Sequence, residues 1–176
     1  FIACDSLKRL WRRAHPMTCK LWKDLEYAMS NVISTGKPQR VGRVTVGKNQ
    51  QWVYIELPSG HRVCYPQASN RGKLSYMGTN SYTRKWERLS TYGGKLAENI
   101  TQACARDVIA YNLHGIEAAG YEIVLTVHDE VITEAPDLPE FNADHLSSLL
   151  AANPDWAPGL PLSCAGFEDY RYHKED

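Results

Sequence analysis

Val124-Leu125-Thr126-Val127-His128-Asp129-Glu130-Val131-Ile132 places two adjacent carboxylates between two apolar, β-branched runs. Such a pattern reads as a β-hairpin or strand-turn-strand with the acids at its bend. Adjacent anions repel, and on an otherwise oily hairpin they are costly unless a cation sits with them. Hard divalent cations such as Mg²⁺ take oxygen ligands and are often held by one or two carboxylates plus substrate phosphates. The chemistry to expect is a metal site for phosphoryl transfer. Asp129 and Glu130 are its candidate ligands. A solvated pair of turn acids is the bland alternative, and it fits poorly between Val127 and Val131-Ile132.

Val127-His128-Asp129-Glu130, followed by Glu134-Ala135-Pro136, resembles the last motif of family A DNA polymerases, the class of bacterial DNA polymerase I and many phage replicative enzymes. Upstream, Tyr92-Gly93-Gly94-Lys95-Leu96-Ala97-Glu98-Asn99-Ile100-Thr101-Gln102, ending in Arg106-Asp107, resembles the helix preceding that motif, most closely in phage-borne members. The likeness is specific from about Trp86 onward and weaker before it. It implies a nucleotidyltransferase that joins a dNTP to a primer 3′-hydroxyl on a template. That reaction uses two Mg²⁺ ions about 3.5–4 Å apart. By resemblance Asp129 is a metal ligand and Glu130 a nearby supporting acid. His128 would touch the primer-terminal phosphate, although a lone histidine beside apolar residues is more often packed than functional.

On the expected helix Lys95, Asn99, Gln102 and Arg106 recur three or four residues apart and so lie near one face. An amide-bearing face suits the minor groove, whose acceptors occur at similar positions in every base pair. A polymerase must grip any sequence, so such degenerate readout is appropriate. The resemblance makes Gln102 the minor-groove residue beside the primer terminus. The chain departs from the family pattern around it. Many members have Arg seven or eight residues and Asn four residues before the Gln, with Gly after it. Here Lys95 and Glu98 stand at the seven and four spacings, Asn99 three before, and Ala103 after. An exposed polar helix side remains a competing explanation for this face, most of all for Arg106.

The elements that must position these groups belong to a chain of 176 residues, 43% hydrophobic and 23% charged, long enough for a real core. No apolar run approaches the roughly 20 residues that span a bilayer. The start, Phe-Ile-Ala-Cys-Asp, has neither an initiator Met nor a signal pattern, and the sequence reads as cut from something longer. Five scattered cysteines, none in a Cys-x-x-Cys pair, argue against structural zinc or a disulfide framework and for reduced thiols. The net charge of zero conceals a division. Residues 1–90 hold sixteen Lys and Arg against five Asp and Glu, and residues 91–176 hold four against fifteen. The basic half suits a phosphate backbone, while the acidic half holds the candidate ligands.

Residues 5–34 read as two helices, with Leu7, Leu10, Trp11 and Ala14 on one stripe, Pro16 opening the second helix and Gly36 capping it. The stripe continues through Met17, Leu21, Leu25, Ala28, Met29 and Val32. Val41–Val46, Trp52–Leu57 and Arg62–Tyr65 read as a three-stranded meander joined through Gly47–Gln50 and Pro58–His61. Its Arg and aromatic residues could face DNA or simply make an amphipathic sheet. Residues 66–72 read as loop and 73–86 as a strand followed by irregular chain. A helix follows from about Lys95 to Ala119, then the hairpin, a helix over 139–151, a proline-rich loop, and a closing strand from Leu162 to Tyr172.

The expected fold is α+β: an antiparallel palm-type sheet against long helices, preceded by a helical segment from the end of the fingers. The expected divisions are 1–36 for that segment, 37–91 for the meander and its connecting loop, and 92–176 for the palm portion. The resemblance places the partner Asp strand and the nucleotide-clamping fingers helix N-terminal to Phe1, so this chain would hold about half of the metal site. Implied partners are primer–template DNA, dNTP and the missing N-terminal part of the polymerase, with no membrane, in the cytoplasm of a bacterial host. A non-catalytic DNA-binding or structural module that kept the palm architecture is the rival reading. A different metal-dependent phosphotransferase is the third.

Overall fold

A computed structural model describes residues 2–50 and 52–172. Phe1 and residues 173–176, included in the expected terminal segments, lie outside the described residues, as does Gln51. The architecture is α+β, with four helices and eight antiparallel strands among the described residues. The strands form one four-stranded sheet and two separate two-stranded sheets rather than a single one. Contacts divide the chain within its longest helix into two compact units, one ending at Cys104 and one starting at Ala105. No described helix is long and apolar enough to cross a membrane.

The first unit opens with α1 (Ile2–Ala14) and α2 (Pro16–Thr35). The residue before a proline is driven out of the helical region, and His15 accordingly sits at φ −121, ψ 60. Pro16 then begins α2, where its missing N–H costs nothing. Gly36, at φ +71, closes the helix by donating to the Val32 carbonyl (2.9 Å). The apolar stripe is buried only from Leu25 onward, through Ala28, Met29 and Val32. Leu7, Leu10, Trp11, Met17 and Leu21 stay exposed, Met17 at 73%, against the single continuous stripe expected.

Strands β1 (Gln39–Val41), β2 (Val44–Asn49), β3 (Trp52–Glu56) and β4 (Arg62–Pro66) follow in that order across the sheet. The expected first strand is two strands. Val41 pairs with Val44 around a two-residue turn whose first position, Gly42, has φ +58, as such hairpins require. Gly47-Lys48-Asn49 is strand rather than turn, and the chain reverses between Asn49 and Trp52, with Gln50 at φ +50. Alternation sends Val44, Val46, Val53, Ile55 and Tyr65 to the α2 side, where they join Leu25, Ala28, Met29, Val32, Leu57, Leu74 and Leu96 in one core. Each fully buried Val, Leu or Ile contributes about 1.5–3 kcal/mol.

Segment 73–86 holds the expected strand and the irregular chain after it, but a second, unexpected strand begins at Trp86. β5 (Ser75–Thr79) pairs with β6 (Trp86–Ser90) as a hairpin, register Thr79 to Trp86. Asn80 organises the loop, its Oδ1 accepting from the Tyr82 backbone N–H (2.8 Å) and its own backbone N–H donating to the Lys85 carbonyl (2.9 Å). α3 (Gly93–Ala118) follows, and its start is bound to α2: the Gly93 N–H donates to Glu26 Oε2 (2.9 Å).

The second unit contains the rest of α3, β7 (Glu122–Val127), β8 (Glu130–Glu134) and α4 (Ala143–Leu150). α4 starts later than residue 139 because Asn142 caps it, accepting from the His145 amide (2.9 Å). Buried Asn112 on α3 donates to the Leu150 and Ala152 carbonyls (2.8 and 3.0 Å), tying α3 to the end of α4. Tyr121, just before β7, is buried, with its hydroxyl 3.0 Å from His145 Nδ1 and its ring edge-on to Phe141. The root of the β7–β8 ribbon is therefore anchored to α4. No closing strand forms over 162–172. Its loose alternation finds no ladder; Glu168 instead accepts from the Ala143 amide at the N-terminus of α4 (2.7 Å), and Gly166 packs against Ser147.

Candidate functional site

β7 and β8 pair with Val127 opposite Glu130, which leaves His128 and Asp129 as a two-residue turn. Such turns need positive φ at their first position, and His128 supplies it at +53. Histidine is among the few side chains that visit this region with some frequency. Asp129 takes the second turn position and Glu130 opens β8, so the strict up-down alternation of a strand does not separate them. All three are exposed, while Val127, Val131 and Ile132 are half-buried. The register slips between Ile123 and Leu125, a bulge at Val124; Val124 and Leu125 are 48% and 53% exposed.

Two exposed, adjacent carboxylates are the right donors for a hard cation. They are not a complete shell, since no three His, Cys, Asp or Glu side chains among the described residues converge in a way that could hold a metal ion. Any ion held by Asp129 and Glu130 needs further ligands from outside these residues or from substrate.

The helix residues belong to different environments. Lys95 Nζ pairs with Glu98 Oε1 (2.9 Å), and that hydrogen bond holds the ammonium pKa above its usual value. Gln102 Nε2 reaches the same oxygen at 3.5 Å and is otherwise exposed. Asn99 turns aside, its amide donating to Tyr65 Oη (3.1 Å). Burial pushes the Tyr65 hydroxyl up to about 12, with the Asn99 hydrogen bond acting the other way. Arg106 is exposed two residues past the unit boundary. Lys95, Asn99 and Gln102 lie in the first unit; Arg106, His128, Asp129 and Glu130 lie in the second.

Two features of this helix were missed from the sequence. Glu98 shares one carboxylate oxygen between Lys95 and Gln102, and the i,i+3 and i,i+4 spacings would have signalled it. The Glu26 contact to Gly93 spans 67 positions and leaves no local signal.

In an alignment of 177 positions that covers 96% of its length, the chain is 34% identical to a DNA polymerase of Bacillus phage SP02. It spans 27% of that protein's length. No family model matches the chain, and no solved structure matches it significantly.

Proposed function

We propose that the chain is part of a phage-type, template-directed DNA polymerase of family A, and that the β7–β8 hairpin is the metal-bearing element of its palm. The observation that carries this reading is the His128-Asp129 turn opening into Glu130, in a chain similar along nearly all its length to a phage DNA polymerase. In this reading residues 1–36 end the fingers, 37–91 form the meander and connecting loop, and 92–176 form the palm portion. Asp129 is the metal ligand and Glu130 the supporting acid, with the remaining ligands supplied by the rest of the parent. Bound Mg²⁺ supplies charge neutralisation at the triphosphate and a more acidic primer 3′-hydroxyl. His128 donates an imidazole N–H to the primer-terminal phosphate. Gln102 donates its amide to a minor-groove acceptor near the terminus, with Lys95 and Arg106 toward the backbone and Asn99 holding the helix on Tyr65. Primer–template DNA and dNTP are the substrates, in the cytoplasm of a bacterial host.

Primer extension by the complete parent tests the assignment. Asp129→Ala should slow single-nucleotide incorporation by about 10³-fold or more, with primer–template affinity changed by less than about twofold, since the lost interaction acts mainly in the transition state. The 176-residue chain alone should extend no primer. Template-dependent synthesis by the parent that is indifferent to Asp129→Ala would overturn the reading.

A further inference from the structure

The face of the meander turned away from α2 is built as a stacking surface. Its register sets Gly47, Tyr54 and Cys64 in one row across β2, β3 and β4. The Tyr54 ring lies flat over Gly47, where a Cβ would come within 2.5 Å of it. The Arg62 guanidinium stacks on the same ring, 4.4 Å from its centroid, and is fixed there by bonds of 2.7 and 2.8 Å to Glu56. Two residues before Tyr54, on the same side of β3, Trp52 is 49% exposed. Arg40 lies in the row of Glu56 and Arg62, on the opposite edge strand, so this row carries a guanidinium at each edge of the sheet and one carboxylate between them. An indole and an arginine-topped phenol side by side in water expose flat π-surface that stacks well on nucleobases.

We infer that this face binds an unpaired nucleic-acid strand, its bases stacking on Trp52 and on the Arg62–Tyr54 pair and its phosphates drawn by Arg40 and Arg62. The charge fits, because residues 1–90 carry eleven more basic than acidic side chains. The spacing selects an unpaired strand over a duplex. Residues i and i+2 on one strand face stand about 6.8 Å apart, whereas stacked bases rise about 3.4 Å. Bases on both platforms must therefore be unstacked from each other, and a duplex offers no free base faces along its length. The inference rests on the polymerase reading only for the strand's identity, which would be the unpaired template.

Anisotropy of a labelled oligo(dT) of about 12 nucleotides with the 176-residue chain tests it. Trp52→Ala and Arg62→Ala should each weaken binding about tenfold or more, with the fold retained by circular dichroism, and a blunt duplex of equal length should bind less tightly than oligo(dT). A second readout locates the strand. Cys64 is exposed on this face and Cys4 is exposed on α1, so oligo(dT) should slow maleimide labelling of Cys64 and spare Cys4. Unchanged affinity in both folded variants, together with unprotected Cys64, overturns the inference. So does protection of Cys64 in the complete parent without nucleic acid, which would mean that polypeptide covers the face. Neither result touches Asp129, whose incorporation assay stands or falls separately.

Discussion

His128 holds φ +53 at the turn of the candidate hairpin, a conformation that costs an ordinary L-residue about 1–2 kcal/mol. Glycine would bear that φ without penalty and a β-branched residue worst of all. In denaturant melts of the chain, His128→Gly should be neutral or stabilising, and His128→Val should lose about 1–2 kcal/mol. Equal stability of the two would mean that the turn does not need positive φ. Tyr65 offers a second test. Its hydroxyl is raised from 10 to about 12, chiefly by burial, and the residue is 1% exposed. The neutral form is the one the fold prefers, so its contribution is complete below pH 10 and is lost as pH climbs through 12. The loss amounts to at most about 3 kcal/mol. Subtracting the pH profile of Tyr65→Phe from that of the native chain should isolate this fall; superimposable profiles would contradict it.

At the scale of elements, the start of α3 depends on one glycine. A Cβ on Gly93 would stand 1.8 Å from the Trp22 carbonyl oxygen, a backbone atom that cannot rotate away. Alanine gains about 1 kcal/mol of helix propensity over glycine, but forcing α3 from α2 costs about 1–3 kcal/mol or more. Gly93→Ala should therefore destabilise the chain in thermal unfolding despite its better propensity, and a raised melting temperature would refute the close approach. The helices and the β7–β8 hairpin were legible in the sequence because their signals are local: Pro16, Gly36, Gly120 and the apolar runs around His128-Asp129. What was not legible depends on partners. Val41–Val46 reads as one strand until Gly42 turns it back on itself. Trp86–Ser90 gave no strand signal and is paired by β5. Residues 162–172 alternate but have no strand to join. Asn99 has helical spacing with Gln102, yet its amide is taken by Tyr65, 34 positions away.

For the whole molecule, neutrality is a balance of a basic first half and an acidic second half. A chain that grips phosphate with one part and a divalent ion with another needs that separation, since cations crowded around the carboxylates would compete with the metal. The candidate residues do not divide at the same point: Lys95, Asn99 and Gln102 stand in the acidic half of the sequence but in the first compact unit, whereas Arg106 shares the second with the hairpin acids. Neither unit carries a complete metal shell among the described residues. In the proposed enzyme the β7–β8 turn carries the metal. Iron-mediated backbone cleavage reads it directly: the complete parent, bound to primer–template, is loaded with Fe²⁺ in place of Mg²⁺ and exposed to ascorbate and peroxide. The expected result is a cut clustered around residues 127–131, suppressed by excess Mg²⁺ and lost in Asp129→Ala. Cleavage elsewhere in the parent alone, or at the hairpin but unchanged in Asp129→Ala, would contradict the assignment.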